Sequence, residues 1–159
     1  MKHAITVGFN FGATSGIITT LGLMIGLNSS TQSRLAVIGG ILTIAIADAF
    51  SDALGIHISE ESENVHTAQQ IWLATFCTFF SKLIMALTFV VPVLLFNLIT
   101  AVKIGVVWGT LILALMSLKI AKSQKAKPWP VILEHLLIMF LVIILAHYTG
   151  ELIAVMFKA

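Results

Sequence analysis

Five apolar stretches dominate this chain, at residues 4–27, 35–58, 71–98, 102–118 and 131–157. Each is long enough to cross a bilayer as a helix, which takes about 17–25 residues. A chain whose backbone must satisfy itself inside lipid has two choices, helices or a closed barrel. Barrel strands run about 10 residues with alternating polarity, and these stretches are longer and continuous. The expectation is an all-α integral membrane protein of five transmembrane helices forming one transmembrane domain over 1–159. Composition agrees: 58% of residues are hydrophobic and 10% charged, with a mean hydropathy of +1.05, against about 25% charged in a soluble domain. Lys2 precedes a run longer than the ~7–15 residue core of a signal peptide, so the first stretch reads as a retained span. Cys77 is the single cysteine, which rules out an intrachain disulfide and a multi-thiolate metal site.

Charge placement carries more than the net charge of +2, which is small and says little about nucleic acid; no nucleic acid partner is expected. With five spans, one side collects Lys2, Lys119, Lys122, Lys125 and Lys127, and the other Arg34, Lys103 and Lys158. Lysine and arginine in short loops favour the cytoplasm. The N-terminus and the basic loop Lys119–Pro130 are therefore expected to be cytoplasmic, and the C-terminus non-cytoplasmic. The first span carries Gly8, Gly12, Gly16, Gly22 and Gly26, and the fourth Gly105 and Gly109. Four-residue spacing of small side chains lets helix backbones approach closely. Pro92 is expected to bend or break the third span.

The costly residues lie in the second span. Asp48 and Asp52 stand at i and i+4, on one helix face. A central aspartate costs about 2.5–3.5 kcal/mol on an insertion scale, so such a face turns towards protein, water or an ion path. Three arrangements relieve the pair: a cation between them, a proton on one, or Lys82 reaching across from the third span. The last is compatible with a purely structural ion pair and with a carrier whose empty cation site is held by the lysine. The span exits through His57, Glu60, Glu61, Glu63 and His66, which reads either as a solvated helix end or as an acidic mouth that gathers cations. His147 and Glu151 repeat the i, i+4 spacing in the fifth span, with Glu134 and His135 near its start. These pairs suit a divalent ion or a proton relay, or simply the water at each membrane surface. Neither a nucleophile–base pair nor a phosphate-binding glycine loop stands out, so the chain is not expected to be an enzyme, and no resident cofactor is implied.

Several of these stretches resemble the vacuolar iron transporter family. SGIITTLGLMIGL (Ser15–Leu27) is similar to that family's DGLVTTFALVAGL-type motif. ADAFSDALGIHISEESE (Ala47–Glu63) is similar to its A-D-A-x-S-M-G-x-G-x-Y-L-S-x-x-S-E motif. FVVPVLLF (Phe89–Phe96) resembles its VPLLPY-like turn, and HYTGELI (His147–Ile153) its tyrosine- and glycine-bearing ending. The resemblance implies a homodimer of five-helix subunits with an ion path between them, lined by the first two helices. It implies export of Fe2+ or Mn2+ from the cytosol in exchange for protons. Carried onto this chain, the metal residues would be Asp48, Asp52 and Ser15 in the path, with Glu61 and Glu63 gathering cations at the cytoplasmic mouth. Lys82, His57 and Glu151 would supply counter-charge or proton coupling.

The chain departs from the family pattern at named positions. Ser15 stands where the family has an acid, Asp52 where it has a methionine, and His57 where it has a tyrosine. The long glutamate-rich domain that family members from eukaryotes carry between the second and third helices is missing, and Glu63 alone matches its opening glutamate. A short chain of this kind points by analogy to a prokaryotic plasma membrane. A donor set of carboxylate, hydroxyl and backbone oxygen suits harder cations than one with a thioether. The competing expectations are a non-transporting membrane scaffold or metal sensor on the same fold, and a carrier for another cation.

Overall fold

A computed structural model describes residues 1–157; Lys158, counted above among the non-cytoplasmic charges, lies outside the described residues. Among these the secondary structure is entirely helical: α1 (Lys2–Thr31), α2 (Arg34–Ser62), α3 (Ala68–Thr88), α4 (Val90–Leu95), α5 (Leu98–Ser123) and α6 (Pro128–Phe157). Five helical stretches are long and apolar enough to cross a membrane, with α3 and α4 counting as one from Ala68 to Leu95. Their surfaces fit an integral membrane protein. Phe50 is 63% exposed, Ile84 61% and Val155 78%, so large apolar side chains face outward, as they do against lipid rather than water. The most apolar helix, α6, is also the one least buried by the rest of the chain.

The helix ends differ from the expected spans, for local reasons. The first helix ends inside the polar stretch 28–34 rather than at its start. It continues to Thr31, where the Thr31 hydroxyl reaches back to the Leu27 carbonyl at 2.7 Å. The turn is left to Gln32, in the left-handed region at φ 50°, and Ser33. Ser33 Oγ then accepts from Ala36 N at 3.2 Å at the start of α2, as an N-cap does. Lys119 and Lys122 belong to the last turns of α5 rather than to a loop, and the irregular part of the basic segment is Gln124–Lys127. Thr67 and Gln70 form a reciprocal capping box at the start of α3. Asn97 caps α5 by accepting from Thr100 N at 2.9 Å. The third span breaks at Phe89, one residue past Thr88. Pro92 has no N–H to give to the carbonyl four residues back, which is that of Thr88.

The chain divides into two compact units, 1–20 with 41–89, and 21–40 with 90–159. In the first, small side chains such as Ala13, Ala45, Ala49, Ala74 and Ala86 fill the core around Ile17, Ile41 and Phe89. Here α1 and α3 touch backbone to backbone. A Cβ at Gly8 would collide with the Ala74 carbonyl, and one at Gly12 with Ser81 Oγ and the Thr78 carbonyl. Ser81 Oγ donates to the Gly8 carbonyl at 3.3 Å across this contact. Gly12→Ala is accordingly expected to cost about 1–3 kcal/mol, the usual penalty for overpacking, read as a lower melting temperature in detergent. Gly39→Ala is the control, because a Cβ there meets nothing within 4 Å.

In the second unit Leu21, Met24, Val37, Val93, Leu113 and Met139 form the core, and α5 packs along both α4 and α6. Gly150 lies against the backbone of Gly26, as a Cβ there would strike the Gly26 carbonyl. Arg34 donates to the Leu94 carbonyl at the end of α4.

Candidate functional site

The first unit assembles Ser15, Asp48, Asp52 and Lys82 from three helices. The close α1–α3 contact sets the register, since the Cβ position of Gly16 lies 3.0 Å from the Lys82 carbonyl. Ser15 is thereby held beside the root of the lysine. Asp48 and Asp52 arrive on successive turns of α2, at the edge of the face that buries Ala45, Ala49 and Ala53. Lys82 is 1% exposed, and its ammonium donates to Asp52 Oδ2 at 2.5 Å and to Ser15 Oγ at 2.9 Å. It also stands 2.5 Å from Asp48 Oδ2 as an ion pair. Beyond the ammonium, Asp48 Oδ2 has no other polar partner. The aspartate side chains are partly open, at 27% for Asp48 and 18% for Asp52. Of the three arrangements open to the aspartates, the structure shows the lysine reaching across. It also puts Ser15 and Asp52 on one donor atom.

Charge arithmetic then limits the chemistry. Two carboxylates and one ammonium leave a net charge of −1 in a site walled by apolar helices. Such a charge is costly without a further positive partner. A further positive charge would neutralise it, and because Asp48 Oδ2 already lies 2.5 Å from the Lys82 ammonium, a cation takes that oxygen only by displacing the ammonium.

The remaining candidates lie elsewhere. The ring of His57 does not join the carboxylates. Its Nδ1 stands 3.0 Å from Thr75 Oγ1, and the ring meets Trp72 edge-on with centroids 4.7 Å apart. Thr75 spends its own proton on the Ile71 carbonyl, so Nδ1 of His57 is the donor in that pair. His57 and Trp72 border an apolar groove of about 430 Å³ with Phe50, Phe76 and Phe79. The family-derived counter-charge role of His57 thus has no direct contact behind it.

At the end of α2 the sequence reading chose Glu61 and Glu63, and the structure singles out Glu60. The helix runs on to Ser62, so the buried face that holds Ala49 and Ala53 continues to Glu60, while Glu61 points outward. Glu60 is 6% exposed. Glu63 is largely exposed and pairs with His66 at 3.3 Å.

In the second unit Glu151 meets its expected neighbour, with His147 Nε2 at 3.3 Å. The structure adds Ser29, whose Oγ lies 2.7 Å from His147 Nδ1. This links α6 to the last turn of α1 and forms a Ser–His–Glu chain that borders a cavity with Asn28, Gln32 and Asn97. Ser29 and His147 are 118 residues apart, and nothing in the local pattern around either pairs them. His135 near the start of α6 is held in the same way by Ser117 at 2.8 Å.

No family model, curated protein or solved structure matches the chain.

Proposed function

We propose that the chain carries divalent metal cations of the Fe2+ or Mn2+ type across a membrane, exporting them from the cytosol in exchange for protons. The observation behind this reading is the buried Asp48–Lys82–Asp52 cluster with its net charge of −1. Ionisable residues inside a membrane span are expensive and commonly mark ion pathways. With a divalent ion between the two aspartates the carboxylate charge is balanced, and the ammonium becomes a surplus charge that the site repels. Lys82 then acts as an internal counter-charge, present when the cation is absent and displaced when it arrives. Ser15 offers a hydroxyl oxygen to either occupant. Entry of a divalent ion into such a site favours loss of positive charge elsewhere, which is the basis for exchange against protons.

A homodimer is part of the proposal. The outer side of α2 exposes Thr43, Ala47, Ser51, Gly55 and Ser59 at four-residue intervals, a stripe of small residues of the kind that packs helices against each other in lipid. It lies next to Asp48 and Asp52, so a second copy seated there would close the ion path between two α2 helices. In this arrangement the N-terminus is cytoplasmic, the C-terminus is on the other side, and the host membrane is a prokaryotic plasma membrane.

The test is uptake of Mn2+ and Fe2+ into proteoliposomes under an imposed pH gradient, with a pH-sensitive dye in the lumen. Metal entry should be accompanied by proton movement in the opposite direction. A dye signal that stays flat during metal flux overturns the exchange and leaves a uniporter. A second reading, a scaffold or metal sensor that does not transport, is favoured by one observation: Lys82 is already fully buried and satisfied by its three partners. In that case reconstituted protein moves no metal.

A further inference from the structure

A second cluster in the same unit lies beyond Ile58, where the apolar run of α2 ends. His3 at the start of α1, Glu60 in the last turn of α2, and His66 in the turn before α3 bring three ligand-type atoms within 4.8 Å of one another. The His3 and His66 rings stack with centroids 5.7 Å apart and planes 17° from parallel. His66 Nε2 stands 3.4 Å from Glu60 Oε2 and 3.3 Å from Glu63 Oε2.

One atom here is out of place for a surface ion pair. Glu60 is more than nine-tenths buried, yet its Oε2 accepts no hydrogen bond. Its approach to His66 Nε2, at 3.4 Å, lacks hydrogen-bond alignment. A buried carboxylate oxygen left in that condition costs free energy, unless something positive is meant to meet it.

We infer that His3, Glu60 and His66 form a binding site for a borderline divalent transition metal, with Glu63 as a fourth donor. The donor set decides the class. Two imidazoles with one or two carboxylates suit Zn2+, Co2+ or Fe2+, whereas Mg2+ and Ca2+ favour shells of oxygen alone. The spacing agrees. Metal–nitrogen and metal–oxygen bonds of about 2.0–2.1 Å in a tetrahedron put donors about 3.3–3.4 Å apart, and the two His66–carboxylate separations have that length. His3 closes onto the ion by a shift of its exposed side chain. The site is separate from Ser15, Asp48, Asp52 and Lys82 and stands whether or not the chain transports metal.

Titration of the purified full-length chain in detergent with Co2+ tests it, since tetrahedral Co2+ has a visible absorption that octahedral aqueous Co2+ largely lacks. The Asp48→Asn/Asp52→Asn double variant is titrated beside the native chain, to remove the membrane-embedded carboxylates from the reading. One equivalent of Co2+ should produce the band in both, and Zn2+ should bleach it. His3→Ala and His66→Ala should each weaken binding by more than about tenfold, because loss even of groups that merely support a ligand costs about 10–100-fold. Glu60→Gln, which keeps the shape of the side chain, should do the same. Each variant is checked for an unchanged elution volume. An unchanged band in His3→Ala and His66→Ala, or no Co2+ binding by the folded native chain, overturns the site. Failure of transport with the band intact removes only the carrier proposal, and loss of the band with transport intact removes only this one.

Discussion

Asp52→Ala should reduce divalent-metal uptake into proteoliposomes to the level of protein-free vesicles while the chain stays folded. The asymmetry follows from charge. Removing one carboxylate leaves Lys82 paired with Asp48, a neutral buried couple that the surrounding helices already accommodate. The fold therefore loses a hydrogen bond from Lys82, a contribution of about 1.5–3 kcal/mol for a charged partner, without gaining an unpaired charge. Transport loses far more, since one aspartate cannot both hold Lys82 and receive a divalent ion. Full uptake by Asp52→Ala would sink the assignment of the site. Wild-type elution volume and helical content in the variant are the controls that separate lost function from lost structure.

Replacing Lys82 has the opposite signature. Lys82→Met keeps the length and apolar stem of the side chain but strips the ammonium, leaving Asp48 and Asp52 as two close, partly buried like charges. Breaking a buried ion pair from one side typically costs about 3–5 kcal/mol. The metal-free variant should accordingly melt well below the native chain. If the aspartates are a cation site, Mn2+ should restore much of the loss, since a ligand that binds only the folded state contributes about 2.7 kcal/mol at 100 times its Kd. The rise in melting temperature on adding Mn2+ should be larger in Lys82→Met than in the native chain, where the metal must first displace the ammonium. A destabilised variant that Mn2+ does not rescue would make the cluster a structural ion pair, in favour of the scaffold reading.

The spans were legible because hydropathy over about 20 residues is insensitive to detail. Helix ends were less so. The polar stretch 28–34 ends α1, but only after Thr31, whose hydroxyl satisfies the Leu27 carbonyl and lets the helix run through 28–30. The Asp48–Lys82–Asp52 grouping was open to sequence reasoning, because a lysine and two aspartates in spans have few other ways to be neutralised. Ser15 joined them through a family pattern, and its place beside Lys82 comes from the glycine contact of α1 with α3. Glu60 stands in the acidic exit with Glu61 and Glu63, and helical phase past the membrane surface, which depends on where α2 stops, decides that Glu60 is the buried one. His3 could not be joined to Glu60 and His66 from sequence at all, nor Ser29 to His147. Both groupings depend on which helix ends meet.

The burial of Lys82 also has a consequence for how the protein is made. The aspartates of α2 emerge from the ribosome before α3 does, so for the time it takes to synthesise the intervening chain they enter the membrane without their ammonium partner. An insertion intermediate that ends short of residue 82 carries the cost of both carboxylates, about 2.5–3.5 kcal/mol each if central in the span. Arrival of α3 relieves that cost. The lysine that pairs with both aspartates in the folded chain is thus also the residue whose arrival relieves the helix made before it, and the order of charges along the chain becomes an order of assembly events.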